Sequence, residues 1–323
     1  MKTVLLIGAG KSATVLINYL LQEAEKNNWK FIIADADKQQ VLAKTNNSKF
    51  AEVVQLDITN EREREKVIQR AHVVISMMPP ALHFLVARDC VEYRKHLLTA
   101  SYLDEKMKSL RDEINHRKLF FLCEMGLDPG IDHMSAMKII DNIKAQGGTV
   151  LSFKSHCGGL VAPESDDNPW HYKISWNPRN VVLAGSAGAE YKLNGALKKI
   201  EYAQLFEEIN TVQVDGLNEL AFYPNRDSLS YIPIYKLHDA DTFIRTTLRY
   251  PAFFNGWNAI VHAGLTNERD TIDTVGLTYT KWSENILPFV NENNKAPLSF
   301  LGLFEETLVP ANCKTSADIL QFL

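Results

Sequence analysis

The fold is decided by Lys2–Asp37, KTVLLIGAGKSATVLINYLLQEAEKNNWKFIIADAD. The apolar run Thr3–Ile7 stops at Gly8. It gives way to Ala13, Leu16, Ile17, Leu20 and Leu21, spaced i, i+3, i+4, i+7 and i+8 on one face of a helix. A second apolar run, Phe31–Ala34, ends at Asp35. Strand, glycine turn, helix, strand and acid follow in the order of a nucleotide-binding βαβ unit. Gly8 permits the tight turn, and Gly10 lets backbone approach a pyrophosphate. Ala13 is the third small residue, where helix and strand must pack closely, so the form is G-x-G-x-x-A. The helix N-terminus offers unpaired N–H groups and a positive dipole end to the phosphates. Asp35 is placed to accept from a ribose diol.

The alternation continues outward from that unit. Helices are expected over Lys38–Lys44, from a Thr59 or Asn60 cap to Arg70, from Pro80 with a face of Leu82, Leu85, Val86 and Cys90, and over Asp104–Arg117. Between them lie short apolar strands at Ala51–Gln55, Val73–Ser76, Leu97–Thr99 and Leu119–Cys123. Six strands alternating with helices predict a doubly wound (Rossmann) parallel sheet whose ligand lies beyond the strands' carboxyl ends. The texture then changes. Ile131–Ala145 reads as a helix with Ala136, Ile140 and Ile143 on one face, ended by Gly147 and Gly148, and Thr149–Ser155 reads as a strand. A long polar loop and an irregular mixture of strands and helices follow. The expectation is a nucleotide-binding domain over 1–127 and an α+β substrate-binding domain over 128–323. Near the end, Thr315 or Ser316 caps a helix with Asp318 in its first turn and Ile319, Leu320 and Leu323 as its apolar face. That helix stops about two turns in, so a C-terminally truncated second domain is expected.

Composition narrows the function. At 323 residues the chain can bury two substantial cores, and 23% charged residues with 46% hydrophobic ones describe an ordinary folded protein. A net charge of −4 without Lys/Arg-rich runs gives no nucleic-acid surface. No apolar run approaches ~18 residues, so no membrane span is expected. Cys90, Cys123, Cys157 and Cys313 are far apart, which suits reduced thiols in a cytoplasmic protein. His133 and His156 with Asp132 form no metal-ligand spacing, so no metal is expected.

Several segments resemble saccharopine dehydrogenase of the glutamate-forming type: LTASY (98–102), EMGLDPGIDH (124–133), CGGLVAPESDDNPWHYKISW (157–176), YPNRDS (223–228) and TLRY (247–250). The resemblance implies NAD(P)-dependent oxidation of saccharopine, a secondary amine joining lysine's side-chain nitrogen to glutamate's α-carbon. The products are glutamate and 2-aminoadipate 6-semialdehyde. The reverse imine reduction is the same chemistry, and the family usually continues for about a hundred residues more. Two other readings stay open: another NAD(P)-dependent amino-acid or polyamine imine dehydrogenase, and a non-catalytic nucleotide sensor. The expected partners are a small-molecule substrate and, as one option for assembly, a second copy in a homodimer.

The candidate cofactor residues are Gly8, Ala9, Gly10, Lys11, Ser12 and Asp35, with Asp57, Ala100 and Ser101 from later strand ends. The resembling fungal reductases carry a Cys-Arg-Thr stretch where this chain reads Asp35-Ala36-Asp37, and they use NADPH. Two acids there favour NAD, with NADP as the alternative. Three residues are catalytic candidates. Asp128, in a Gly-Leu-Asp-Pro-Gly turn, holds the substrate amine or relays a proton, or merely caps the next helix. Tyr102 exchanges a proton near the amine, or closes an interface as an amphipathic aromatic. Cys157 matches a wall of the family's substrate pocket. A nucleophilic pair with His156 is disfavoured because adjacent strand residues point to opposite faces. The substrate set is Ser101, Tyr102, Asp128, Arg226, Thr247 and Arg249, the two arginines matching family positions that contact substrate carboxylates. Arg245, four residues before Arg249, is expected on the opposite side of its strand, leaving Arg249 as the clamp.

Overall fold

A computed structural model describes residues 1–174 and 177–323. Ser175 and Trp176, the last two residues of the CGG segment, lie outside the described residues. The chain divides into two compact units, Met1–Ser135 and Ala136–Leu323.

The first unit is built from β1 (Thr3–Ile7), α1 (Thr14–Asn27), β2 (Lys30–Asp35), α2 (Lys38–Thr45), β3 (Ala51–Gln55), α3 (Glu61–Gln69), β4 (Val73–Ser76), α4 (Pro80–Glu92), β5 (His96–Thr99), α5 (Glu105–Lys108), α6 (Arg111–His116) and β6 (Phe121–Leu122). Its six strands pair in parallel in the order β3-β2-β1-β4-β5-β6. This is the doubly wound arrangement, with the change of direction between β1 and β4. The strands are apolar on both sides because both sheet faces are covered. Leu5, Ile7, Ile32 and Val74 pack with Val67 and Val86 on one face, while Leu6 and Ile33 pack with Ile17, Leu20 and Val41 on the other.

Two helices among α1–α6 differ from the sequence reading. The helix expected over Asp104–Arg117 is broken into α5 and α6. At the break, Ser109 Oγ donates to the Lys106 carbonyl at 2.7 Å, a local bond that competes with helix continuation. Helix α4 buries His83 and Asp89 beside Val86 and Cys90, whereas Leu82 and Leu85 are only partly covered. Asp89 is held by Arg64 of α3 at 2.6 Å, and Arg64 also donates to the Ile58 carbonyl at 2.8 Å. The polar residues fit inside because each finds its partner.

Helix α7 (Ile131–Ala145) buries Ala136 and Ile140, but Ile143 is exposed. The next strand, β7 (Ser152–Cys157), begins later than expected and takes in His156 and Cys157. The second unit continues with α8 (Pro178–Val182), β8 (Ala189–Leu193), β9 (Ala196–Ile200), β10 (Asn210–Val212), β11 (Leu220–Pro224), β12 (Arg226–Asp227), α9 (Tyr231–Tyr235), β13 (Thr242–Arg249) and α10 (Pro251–His262). These strands form a mixed sheet in which β13 pairs in parallel with β7 and antiparallel with β11 and β8. Its core is aromatic: Phe253, Phe254 and Trp257 of α10 pack with Tyr223, Phe206 and Trp170. Trp170 lies against Gly256, where an added Cβ would come 2.5 Å from the indole ring, and its N–H donates to the Pro297 carbonyl at 2.8 Å. The C-terminal helix Ser316–Leu320 is capped by Thr315, one of the two expected caps, in a capping box with Asp318; it buries Ile319 and Leu320, while Leu323 lies beyond its end. Among the described residues no helix is long and apolar enough to cross a membrane.

Candidate functional site

The glycine turn satisfies what a dinucleotide needs. Gly8 has φ +96°, and a Cβ there would sit 2.9 Å from the Met77 carbonyl oxygen, so the tight turn demands glycine. At Gly10 a Cβ would meet nothing within 4 Å, so no protein neighbour explains that glycine. The open position leaves room for a phosphate to approach the backbone. The helical segment Lys11–Ala13 that runs into α1 starts at Gly10 and has no side-chain cap, which leaves its first N–H groups to an anion. Asp35 Oδ2 accepts from Ala9 N at 2.6 Å and Oδ1 from Asp37 N at 2.9 Å. The acid therefore stands against the turn, at the end of β2. Lys44, which sequence reasoning missed, reaches back from α2 to the Ala9 and Gly10 carbonyls, at 2.6 Å each. Only a tertiary contact reveals it, because 34 residues separate Lys44 from Gly10. Asp57 Oδ1 accepts from the backbone and hydroxyl of Thr59, at 2.9 and 2.7 Å. Those two bonds hold its carboxyl below the ordinary value, the hydroxyl contributing most.

Beyond the ends of β4 and β5 lies a second group. Tyr102 donates to Asp128 Oδ1 at 2.7 Å, bringing together two of the three catalytic candidates. The neighbouring Ser101 Oγ lies 2.7 Å from His83 Nε2, and His83 Nδ1 lies 2.9 Å from Ser76 Oγ. His83 was not anticipated. Its signal in the sequence is faint: a histidine one residue off an apolar helical face. Ala100 enters the turn region through its backbone, whose carbonyl oxygen would lie 3.3 Å from a Cβ at Gly126.

The third group lies in the second unit. Thr247 is in register with Cys157 on β7 and Tyr223 on β11, so the three project from one face of the sheet. Burial pushes the Tyr223 phenol up, while Arg249, a hydrogen bond from Thr247 and Arg226 all oppose the rise. Arg249 is 6% exposed. Its guanidinium lies 4.5 Å from the Tyr172 ring centre and 5.3 Å from that of Phe253, and one Nη donates to the Leu248 carbonyl at 2.7 Å. Its Nε has no hydrogen-bond partner, and among the described residues no carboxylate forms an ion pair with it. Arg226 is exposed, at φ +50°, on β12.

Arg245 does not lie opposite Arg249: a strand repeats every two residues, so positions four apart share a face. What separates them is their surroundings, since Arg245 is stacked 4.4 Å from the Tyr231 ring centre. His156 and Cys157 do diverge, for His156 Nδ1 meets Thr246 Oγ1 at 2.6 Å and its ring packs on Phe222. Cys157 is the last residue of β7 and does not follow the strand. His133 lies 3.5 Å from Glu124 and 3.7 Å from Asp132, and among the described residues no three such groups could hold a metal ion.

Comparison with known proteins bears on both units. The family model for the saccharopine dehydrogenase NADP binding domain matches residues 4–120, and that for the saccharopine dehydrogenase C-terminal domain matches residues 126–320. The chain is 33% identical to alpha-aminoadipic semialdehyde synthase of Arabidopsis thaliana, over 93% of this chain and 31% of that protein. It is 34% identical to the NADP(+), L-glutamate-forming saccharopine dehydrogenase of Schizosaccharomyces pombe, over 83% of this chain and 59% of that protein. It thus spans less than two thirds of either relative. The apo saccharopine dehydrogenase (L-Glu forming) of Saccharomyces cerevisiae superposes with a TM-score of 0.84 at 27% identity, covering 100% of this chain and 77% of that one. A doubly wound unit with the family's NADP-binding domain, joined to a second unit with its C-terminal domain, makes this chain a member of the saccharopine dehydrogenase family.

Proposed function

We propose that the chain carries the machinery of an NAD(P)-dependent saccharopine dehydrogenase, oxidising saccharopine to L-glutamate and 2-aminoadipate 6-semialdehyde or running the reverse imine reduction. The observation that carries the reading is Arg249, a buried guanidinium without a carboxylate partner among the described residues. A buried cation is costly until an anion meets it, and saccharopine brings three carboxylates. Arg249 and Arg226 take carboxylates, with Thr247 beside them and Cys157 as a wall of the same face. In this scheme residues 1–127 bind the cofactor and 128–323 the substrate.

A bound nicotinamide would supply the acceptor for hydride from the lysine-derived carbon beside the secondary amine, and water would then hydrolyse the imine to release glutamate and the semialdehyde. Gly8, Ala9, Gly10, Lys11 and Ser12 would hold the pyrophosphate, Asp35 the ribose, and Asp57, Ala100 and Ser101 the remaining strand-end contacts. Asp128 receives the proton that the amine must lose, and Tyr102 holds the carboxylate in place through its 2.7 Å hydrogen bond. Asp35 and Asp37 would repel a 2′-phosphate, so NAD is the preferred cofactor and NADP the weaker one. That preference would favour the oxidative direction, towards lysine breakdown. Free cysteines suit a reducing compartment, and we assign the cytoplasm, with a homodimer as the assembly to test by sedimentation.

The test is nicotinamide reduction by the purified chain with saccharopine, lysine or a polyamine. Turnover with saccharopine alone is expected, and Asp128→Asn should lower kcat by about 10²–10⁴-fold. Turnover with lysine or a polyamine in place of saccharopine would remove the substrate assignment.

A further inference from the structure

The glycine turn is gripped from two sides by side chains of opposite charge. Asp35 takes the Ala9 N–H at 2.6 Å, and Lys44 donates to the Ala9 and Gly10 carbonyls at 2.6 Å each. In a trans peptide the C=O of one residue and the N–H of the next point in opposite directions. Fixing the Ala9 and Gly10 carbonyls therefore fixes the Gly10 and Lys11 N–H groups on the other side of the turn. Glycine backbone is otherwise the freest in the chain, so a turn of this composition gains most from an external brace.

Lys44 is itself well placed to act as that brace. It lies in the last turn of α2, between Val41 at 0% and Thr45 at 2% exposure, which anchor the helix. The helix start is tied to the same acid: Asp35 Oδ1 accepts from Asp37 N at 2.9 Å, and Asp37 Oδ1 accepts from Gln40 N at 3.0 Å. A closed circuit runs from the turn through Asp35 and α2 and back to the turn through Lys44.

We propose that Lys44 is a positioning residue for dinucleotide binding, holding the turn so that the Gly10 and Lys11 N–H groups are preset for a pyrophosphate. The proposal rests on the reading that this turn binds a dinucleotide. It acts on the phosphates common to NADH and NADPH, not on the 2′-phosphate that distinguishes them.

Calorimetric titration of NADH, NADPH and adenosine into wild type, Lys44→Met and Lys44→Arg tests it. Lys44→Met should weaken both dinucleotides to a similar extent, about tenfold, leave adenosine binding unchanged, and be largely rescued by Lys44→Arg. Without ligand, trypsin should cut Lys11–Ser12 faster in Lys44→Met than in wild type, because a released turn fits a protease cleft. The side chain is partly exposed, and Lys44→Gln serves should the methionine variant fail to fold. Unchanged dinucleotide affinity in Lys44→Met overturns the proposal. So does a loss confined to NADPH, which would make Lys44 a 2′-phosphate contact. A wild-type chain that binds neither dinucleotide overturns the cofactor reading and this proposal together.

Discussion

His83 Nε2 lies 2.7 Å from Ser101 Oγ while Nδ1 lies 2.9 Å from Ser76 Oγ, so one imidazole joins the end of β4 to the segment beyond β5. The ring is 5% exposed. A neutral imidazole donates at one nitrogen and accepts at the other, so the two hydroxyls are set in opposite senses. Ser101 is thereby held in a fixed rotamer next to Tyr102.

Burial lowers the His83 pKa from 6.5, against the opposing pull of Asp104. The fold therefore favours the neutral ring. Its contribution to stability is full above about pH 6.5 and is lost as pH falls through the lower folded value. Denaturant midpoints between about pH 5 and 8 should show wild type losing stability on the acid side and His83→Gln losing less. His156, lowered by burial and by Lys154, adds a separate share that His83→Gln leaves in place. Parallel curves for wild type and His83→Gln would refute the assignment.

Arg249→Ala should cost on the order of 2–4 kcal/mol in saccharopine binding or transition-state energy, with NADH affinity unchanged. Arg249→Lys should rescue little, because an ammonium neither stacks between Tyr172 and Phe253 as a planar guanidinium does nor grips a carboxylate with two parallel donors. Steady-state kinetics with both variants decide the matter: wild-type kcat/KM in either would remove Arg249 from the clamp.

Cofactor choice should turn on Asp35. Titration is expected to show NADH bound at least about tenfold tighter than NADPH, and Asp35→Ser should narrow the gap by removing the repelling carboxylate. The same substitution frees the Ala9 N–H, so absolute affinity for both should fall. Equal or tighter NADPH binding by wild type would reverse the assignment.

The Arg64–Asp89 pair offers a stability test away from the site. Both side chains are buried, at 3% and 5% exposure. Arg64→Met alone should destabilise by about 3–5 kcal/mol, since it strands a carboxylate, and adding Asp89→Leu should recover much of that. Urea unfolding of the two variants measures it; a double variant no more stable than Arg64→Met would contradict the account.

Local pattern carried most of the first unit. Thr3–Ile7, Ala51–Gln55 and Val73–Ser76 match their strands residue for residue, because apolar runs between turn signals leave little choice. The misses share a cause. His83 and Asp89 look like polar interruptions of α4 until Ser76, Ser101 and Arg64 arrive from elsewhere in the chain. Ile143 obeys helical periodicity yet is exposed, since periodicity names a face without saying how far its cover extends. Lys44 could not be read as part of the turn it touches. Arg245 and Arg249, four apart on one strand, share a face, and the aromatic environments that distinguish them are tertiary facts.

Trp170 fills the gap that Gly256 leaves and reaches Pro297 through its indole N–H. Two residues further on, the Tyr172 ring lies on the Arg249 guanidinium, and Asn168 ties the two by accepting from Trp170 N and donating to the Tyr172 carbonyl. A side chain at position 256 would push the indole outward and carry Tyr172 with it. Loop, helix and arginine are thus coupled mechanically, so their sequences should change together: a variant at position 256 would be tolerated only with a smaller residue at 170, and its first symptom would be a looser grip on anions.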